Sequence, residues 1–567
     1  MNTLLLSVLL APTPAEACGG FFCNRDQPVD QSGETIVFEV DETEDKVTMH
    51  VQVDYEGPAE SFAWVVPVKG VPDLFRSHDA LFTGLLNLTG RSFGVRTDNS
   101  DCENGTYLYD YDAGYPSASS SFSDSGAPPS GGGGVTVLDA GTVASYETVT
   151  LSAEDSTVLV EWLQDNDFDV PDTMADALAP YVAGGMNFVA LKLQKDADTG
   201  NLAPLAMRYD GTVPAVPLTL TAVAATDDMP MTIYLLGEAR GVPLNYLHVG
   251  LNPLAIDYWS SGNNLDDVIS RAADEAGGQA FATESATELS SVRSLLYTEG
   301  QYDTTVLEGL GPADFVAALP NAGFFGSQEV LDVLREHIPV PASFPYDEND
   351  FYNNPSYYAD YYDLITDFDV DAAIADLVDA EVEPRQAAQE MLERASWLTR
   401  LRSSVSPAEM TLDPHFGFNP DLPPAESIAW LDVKRLCDTV VRDYRDAPQL
   451  LTYPYGQSLV IPSEASLADR GVSAFEYVSD QSAFAALWIE QMSTSGAPDV
   501  LVDQSGNGTT SNPTMPGTNM PGTYTNDPSL AGNGGGSEEK AGCGCSATGS
   551  AVGWLPLLGL LALGRRR

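Results

Sequence analysis

Three aspartates at alternate positions form the pattern in this sequence that most directly suggests metal chemistry. Asp367, Asp369 and Asp371 are spaced like the first carboxylates of a calcium-binding loop, and Ca²⁺ takes oxygen ligands from such clusters. An EF-hand also needs glycine at position six and glutamate at position twelve, where this chain has Ala372 and Val378. We therefore favour a capped helix start, because Asp stabilises a helix N-terminus. Ca²⁺ binding by the three aspartates is the alternative.

The sequence offers no catalytic signature. It contains no Gly-x-Ser-x-Gly elbow, His-Glu-x-x-His motif, phosphate-binding glycine loop or dinucleotide fingerprint. Its five histidines are too scattered for spacing to indicate a triad, although triads do assemble from distant positions. No cysteine or histidine pair shows zinc-ligand spacing. Two nearby carboxylates suffice for glycoside hydrolysis, but 82 acidic residues make chance pairs too common to single one out. We predict no catalytic or cofactor-binding residue.

An aromatic and acidic segment at residues 344–368 is a candidate binding surface. It holds nine aromatic and six acidic residues and no Lys or Arg. Such a segment could stack on sugars or bury tyrosines in a partner interface. We favour the other interpretation, a surface loop packed partly on its own domain.

The net charge limits the partners of the protein. The 567 residues include 82 acidic and 26 basic side chains, which gives a formal net charge of −56. A nucleic-acid backbone would be repelled by this charge, and an anionic membrane surface is disfavoured for the same reason. We interpret the acidity as a solvated surface suited to salty water. Divalent-cation binding by clustered carboxylates is the alternative.

The N-terminus reads as a signal peptide. Residues 1–17 contain a short apolar run and end in a small-x-small cleavage site at Ala17. Cleavage there would make Cys18 the first mature residue, and lipidation of Cys18 is an alternative form of processing. The protein is therefore expected to be exported.

The C-terminus reads as a tether followed by an anchor. Residues 493–542 are rich in Gly, Ser, Thr, Asn and Pro, which favours a disordered linker. Residues 543–567 contain Cys543, Cys545, an apolar run and three terminal arginines. The run is short for a full membrane span, and the basic end suits transient retention in the membrane. This order resembles the myxobacterial C-terminal sorting signal, which implies processing or lipidation at Cys543 or Cys545 and attachment to the cell surface.

Four further cysteines are expected to form disulfide bonds after export. Cys18 and Cys23 are close enough in the sequence to pair locally. Cys102 and Cys437 would then pair with each other, although spacing alone cannot determine the disulfide connectivity.

Hydrophobic periodicity predicts an α+β fold, with an antiparallel β-rich region at 18–255 and a helix-rich region at 256–492. The predicted strands are 35–40, 47–55, 61–68, 143–151, 187–195, 204–209, 216–225 and 231–236. The predicted helices are 79–88, 152–163, one starting at 173, 264–276, 283–296, 312–319, 328–337, 384–402 and 482–492.

Several short segments resemble one bacterial family. The most specific are Cys-Gly-Gly-Phe-Phe-Cys at 18–23 and the Trp-Val-Val-Pro strand at 64–67. Further segments lie at 33–38, 55–57, 162–163, 188–192, 217–221, 398–401 and 410–414. Together they resemble the domain-of-unknown-function family numbered 2330 over about residues 18–420. The resemblance implies export and a sorting tail, but it implies no activity and no catalytic residue.

These features favour a non-enzymatic binding or structural role at the cell envelope. The alternatives are a secreted carboxylate-based hydrolase of the glycosidase type and a calcium-stabilised extracellular module. The expected partners are the export machinery, a sorting protease, a protein or glycan ligand, and the membrane through the C-terminal segment. No nucleic-acid partner is expected.

Overall fold

The computed structural model describes residues 30–56, 63–102, 108–109, 134–144, 146–168, 170, 174–193, 203–223, 225–289 and 294–505. By its internal contacts the chain divides into Met1–Thr510 and Ser511–Arg567, and every described residue belongs to the first unit. The predicted signal peptide with Ala17, the cysteines Cys18 and Cys23, and the predicted sorting segment with Cys543 and Cys545 lie outside the described residues.

The fold is α+β, as the periodicity predicts, and its N-terminal half is rich in strands. The strands are β1 Asp30–Asp41, β2 Lys46–Glu56, β3 Ala63–Val68, β4 Asp73–Arg76, β5 Ser92–Asp98, β6 Leu108–Tyr109, β7 Val135–Val143, β8 Tyr146–Ala153, β9 Asn187–Leu193, β10 Leu205–Asp210, β11 Met229–Gly237, β12 Arg240–Pro243, β13 Leu247–Leu251, β14 Ala280–Glu288, β15 Trp397–Val405, β16 Phe416–Asn419, β17 Ile428–Arg435, β18 Gln449–Thr452, β19 Ser458–Ile461, β20 Ala486–Gln491 and β21 Asp499–Asp503.

Helices fill much of the stretch between β14 and β15. The α-helices are α1 Asp79–Thr89, α2 Ser156–Asp165, α3 Met174–Ala183, α4 Leu218–Thr221, α5 Leu265–Glu275, α6 Pro312–Ala318, α7 Gln328–His337, α8 Glu348–Asn353, α9 Ala359–Tyr362, α10 Val370–Leu377, α11 Glu383–Arg394, α12 Glu464–Arg470 and α13 Ala474–Ser479. A π-helical turn, Val378–Val382, joins α10 to α11.

A ten-stranded sheet runs through the described residues in the order β21-β20-β13-β14-β15-β11-β1-β2-β10-β4. Its pairings are antiparallel except for β1 with β11 and β13 with β14. A four-stranded antiparallel sheet, β3-β9-β8-β7, and a five-stranded sheet, β19-β18-β17-β5-β6, accompany it. Strands from both halves of the chain therefore share one sheet, which brings distant residues side by side.

Alternating side chains bury both faces of the four-stranded sheet. Trp64 and Val66 of β3 join the main core with the ten-stranded sheet, whereas Val65 packs with α2 and α3 in a second core. A third core lies between α5, β13 and the five-stranded sheet. Helices α6–α10 enclose a separate core of their own around Phe315 and Phe351.

Four predicted segments differ from the observed elements. The predicted helix 283–296 falls partly in β14, with residues 290–293 outside the described residues, and the predicted helix 482–492 contains β20. The predicted helix 384–402 ends at Arg394, and β15 follows. All three strands lie inside the ten-stranded sheet, where burial on both faces removes the alternation that distinguishes a strand from a helix. Conversely, the predicted strand 216–225 contains the short helix α4.

The segment predicted as a disordered linker, 493–542, includes a strand at its start. Asp499–Asp503 form β21, which pairs antiparallel with β20 at the edge of the ten-stranded sheet. Val500, Leu501 and Val502 distinguish this segment from the Gly- and Ser-rich sequence that follows, in which aliphatic residues are rare.

Candidate functional site

A pocket of about 690 Å³ opens where the ten-stranded sheet meets the five-stranded sheet. Its wall combines ionisable and hydroxyl side chains, including Arg91, Arg240, His248, Thr283 and Glu490, with aromatic rings. Convergent polar groups set among apolar and aromatic side chains are the arrangement expected of a ligand site. We therefore treat this cavity as the candidate functional site.

Strand register explains why three of these side chains meet. His248 of β13 is the direct cross-strand partner of Glu490 in antiparallel β20. On its other side, His248 is paired with Phe281 in parallel β14, and Thr283 follows two residues later. Side chains two residues apart on a strand point to the same face, so the three side chains converge.

The hydrogen bonds around His248 fix its tautomer. The backbone N–H of Thr283 donates to Nε2 at 3.3 Å, so Nε2 carries no proton. The Thr283 hydroxyl oxygen lies 2.9 Å from the same nitrogen and donates to it. The proton is therefore on Nδ1, which donates to Glu490 Oε1 at 2.8 Å. Hydroxyl, imidazole and carboxylate thus form one directed chain.

Burial keeps this imidazole neutral. His248 is 5% exposed, and desolvation lowers its pKa, while the hydrogen bond and charge of Glu490 oppose this shift. A neutral imidazole with an unprotonated Nε2 can accept a proton from a bonded hydroxyl, and an adjacent carboxylate orients it. The arrangement has the geometry of a nucleophile, a base and an orienting group. No sequence motif reveals this arrangement, because only the strand register brings the three residues together.

Two arginines contact Thr283, the residue at the hydroxyl end of this series of hydrogen bonds. Arg240 donates through Nη2 to Thr283 Oγ1 at 3.3 Å and through Nη1 to Pro423 O at 3.0 Å. Arg91 donates through Nη1 to Thr283 O at 3.4 Å. In both arginines the Nε atom is buried without a protein acceptor among the described residues. Both guanidinium groups therefore keep hydrogen-bonding capacity beside the pocket.

Aromatic rings form the remaining wall. Trp430, Trp488 and Tyr455 line the pocket, and Tyr455 contacts Trp488 edge to face at 4.9 Å. Each tryptophan stands opposite a glycine, Trp430 across from Gly94 and Trp488 across from Gly250. A Cβ at these glycines would lie 2.3 Å and 2.0 Å from the two indole rings. The glycines thus leave the space into which the rings fold.

A second group of ionisable residues lies at the start of α1. His78, Glu329 and Glu381 are all buried, and one ligand atom from each lies within 4.8 Å of the others. His78 Nε2 is 2.9 Å from Glu381 Oε2, and Nδ1 is 3.2 Å from Glu329 Oε1. Glu381 belongs to the π-helical turn, a distortion that is common at functional sites.

Neighbouring donors account for this second group without an ion. The Arg385 guanidinium lies 2.8 Å from Glu381 Oε1 and supplies the opposite charge. Tyr302 and Ser327 donate to the same carboxylate at 3.0 Å and 2.6 Å. Burial alone would raise the pKa of Glu381, but hydrogen bonding and charge from His78, with Arg385 and Ser327, hold it below its ordinary value. We interpret the group as a buried ion-pair network that joins α1, α7 and the π-helical turn.

The three aspartates singled out in the sequence lie on the surface at the start of α10. Asp369 caps this helix, since its Oδ1 accepts from the backbone N–H groups of Asp371 and Ala372 at 3.1 Å and 3.2 Å. Asp367 Oδ1 accepts from the Thr366 hydroxyl at 3.3 Å. Among the described residues, the three aspartates are not one of the groups whose oxygens converge within ligand distance.

Two other predicted features are visible in the structure. A disulfide bond joins Cys102 to Cys437. The aromatic segment 344–368 packs largely on its own helices, with Phe351 and Tyr362 buried and stacked at 4.2 Å. Only part of it faces solvent, including Tyr357, which is 82% exposed.

Comparison with known proteins identifies a family but no activity. Residues 12–346 match the family described as "Uncharacterized protein conserved in bacteria (DUF2330)", a match that ends before the residue 420 expected from the sequence. No curated protein and no solved structure matches the chain. Arg91, Arg240, His248 and Thr283 fall within the matched span, whereas Glu490 lies beyond it. Within the described residues, no helix is long and apolar enough to cross a membrane.

Proposed function

Since the chain belongs to this family of uncharacterised bacterial proteins, we propose that it is an exported, surface-associated protein that binds a saccharide in the candidate pocket. The observation that carries the proposal is the composition of the pocket wall. Trp430, Trp488 and Tyr455 provide aromatic surface beside the hydrogen-bonding groups of Arg91 and Arg240.

The chemistry of the wall favours a polyhydroxylated ring over other small ligands. A saccharide presents apolar C–H faces to aromatic rings and hydroxyl groups to charged side chains. The guanidinium groups donate to hydroxyl oxygens, and the carboxylates of Glu426 and Asp432 in the same wall accept from hydroxyl hydrogens. A ligand of uniform negative charge would be disfavoured by these two carboxylates and by Glu490. A neutral or weakly acidic glycan therefore suits the pocket best.

Export is supported by independent features of the chain. The signal-peptide pattern at 1–17 and the sorting pattern at 543–567 both direct the protein outward. The disulfide between Cys102 and Cys437 is the kind of bond that persists in oxidising compartments. Binding of surface or environmental glycans is a role that an anchored, strongly acidic envelope protein could perform without a nucleic-acid or anionic-membrane partner.

A glycan array followed by calorimetry on the purified full chain tests the proposal. We expect saturable binding of at least one saccharide class. Trp488→Ala should weaken that binding by roughly tenfold or more, because truncating a central aromatic hot spot costs about 2 kcal/mol or more and 1.4 kcal/mol corresponds to tenfold. Trp259→Ala is the matched control, since Trp259 is 37% exposed and lies outside the pocket wall.

Two results would contradict the proposal. One is the absence of saccharide binding by the folded wild-type protein across the array. The other is equal loss of affinity in the Trp488→Ala and Trp259→Ala variants, which would indicate a general effect on the fold rather than contact with the ligand. Fractionation of the native cells tests the export part separately, because a protein retained in the cytoplasm would contradict it.

A further inference from the structure

We propose that Thr283, His248 and Glu490 form a catalytic relay that hydrolyses O-acyl esters carried by the saccharide in the pocket. The inference rests on the proposed function for its substrate, but its chemistry rests on the relay alone. The two contacts that define it are 2.9 Å from Thr283 Oγ1 to His248 Nε2 and 2.8 Å from His248 Nδ1 to Glu490 Oε1. Both lie within the reach required of a nucleophile and its base.

The direction of each hydrogen bond is the one that such a relay needs. The backbone N–H of Thr283 can only donate, so its contact with Nε2 leaves that nitrogen as an acceptor. The Thr283 hydroxyl then donates to Nε2, and the single N–H proton of the neutral imidazole, on Nδ1, points at Glu490. Arg240 Nη2 donates to Thr283 Oγ1 from outside the relay, so its charge stabilises the alkoxide as it forms.

The position of the three residues on the pocket wall supports a catalytic arrangement over a purely structural one. Thr283, His248 and Glu490 all line the pocket, and the Thr283 residue is partly exposed. A register shift in the β14–β15 pairing falls between Thr283 and Ser285, and such bulges re-aim side chains next to active sites. A bound ester would therefore meet the hydroxyl directly, beside the guanidinium of Arg240.

The reaction balances with water as the only co-reactant. Thr283 Oγ1 attacks the ester carbonyl carbon while His248 Nε2 takes the hydroxyl proton, so an O–C bond forms to the protein. The tetrahedral oxyanion collapses, the C–O bond to the sugar breaks, and the sugar alkoxide takes the proton from Nε2. Water then attacks the acyl-threonine with His248 again as base, which releases the carboxylic acid and restores Thr283.

The first experiment measures ester hydrolysis and traps the nucleophile. The probes are 4-nitrophenyl acetate, acetylated xylan and a fluorophosphonate that labels activated hydroxyl groups. We expect turnover by the full chain and a single fluorophosphonate adduct on Thr283, located by peptide mass spectrometry. Thr283→Val should lower kcat by at least about 100-fold, because it replaces the hydroxyl with a methyl group of similar size. Thr283→Ser should retain turnover.

Matched variants separate catalysis from folding. Thr287→Val makes the same chemical change on the same strand, outside the pocket wall, and should leave turnover and labelling unchanged. Glu490 is a positioning residue, so Glu490→Gln should lower kcat with KM unchanged, because it removes the charge that stabilises the imidazolium. Thermal melting of each variant checks that the fold is intact.

The outcomes distinguish this inference from the proposed function. No turnover and no adduct in the wild-type protein overturns the relay, even if saccharides bind. Equal rates for the wild-type protein and Thr283→Val, or an adduct on another residue, overturn it as well. Hydrolysis of 4-nitrophenyl acetate with a Thr283 adduct, but without saccharide binding, supports the relay and overturns only the saccharide pocket.

Discussion

His50 shows how strongly a single buried group can couple folding to pH. The residue lies on β2 with 4% exposure, and its Nδ1 is 2.8 Å from Ser77 Oγ. Phe75 packs against the ring edge to face at 5.8 Å. Desolvation of the buried ring lowers the pKa of His50 to about 4. The folded protein therefore holds this imidazole neutral where an unfolded chain would protonate it.

We predict that His50→Gln reduces the acid sensitivity of the protein. A histidine in the unfolded chain has a pKa near 6.5. Below that pH the unfolded state therefore binds a proton that the folded state does not bind. Above about pH 6.5 His50 does not reduce the free energy of unfolding. As the pH falls toward 4, His50 lowers that free energy by about 3 kcal/mol in total. Urea denaturation at several pH values measures it. His415→Gln, on an exposed residue, is the control, and equal slopes for wild type and His50→Gln would contradict the prediction.

The residues of the candidate site were not predictable one at a time. The chain positions of His248, Thr283 and Glu490 carry no motif, and Glu490 is one of 82 acidic residues. Their meeting depends on the antiparallel pairing of β13 with β20 and the parallel pairing of β13 with β14. Periodicity indicates strands, but it does not indicate which strands become neighbours. Asp369, in contrast, caps a helix as its local sequence predicts, because capping depends only on adjacent residues.

At the scale of elements, prediction succeeded for segments whose ends are marked in the sequence by polar turns or by helix-capping residues. Helices α1, α5, α6 and α7 and strands β1, β2 and β9 lie close to their predicted positions. It was wrong where tertiary pairing decides the structure. Strand β15 lies between β14 and β11, and most of its residues are buried, so its apolar residues resemble the continuation of helix α11. Helix α11 therefore ends because the residues that follow it pair as a strand in the sheet, and not because of their local propensity.

We predict that Gly250→Ala damages the pocket through β13. The added Cβ would lie 2.0 Å from the Trp488 ring, so the ring must move out of the pocket wall. We expect a loss of roughly 1–3 kcal/mol in the free energy of unfolding and weaker ligand binding. Gly141→Ala, on β7 with no atom within 4 Å of the added Cβ, should change stability by less than about 0.5 kcal/mol. Equal stability of the two variants would show that the indole adapts without cost.

At the scale of the whole molecule, one covalent bond joins distant parts of the chain. Cys102 and Cys437 are 335 residues apart, yet they follow the neighbouring parallel strands β5 and β17. Cross-linking so long a loop restricts the unfolded chain strongly. We predict that the Cys102→Ser, Cys437→Ser double variant loses up to about 5 kcal/mol of stability. Denaturant titration under oxidising conditions measures this, and unchanged stability would show that strand pairing alone closes the loop.

The charge of the whole molecule leads to a prediction about salt. With a formal net charge of −56, the acidic groups of the folded protein repel one another. Raising NaCl from about 0.1 M to 1 M shortens the Debye length from about 10 Å to 3 Å, which screens this repulsion. We therefore expect the melting temperature to rise with NaCl. CaCl₂ at matched ionic strength should add nothing further, because Asp369 already accepts two backbone N–H groups as a helix cap. A calcium-specific increase that disappears in an Asp367→Asn, Asp371→Asn variant would contradict this and identify these surface carboxylates as a cation site.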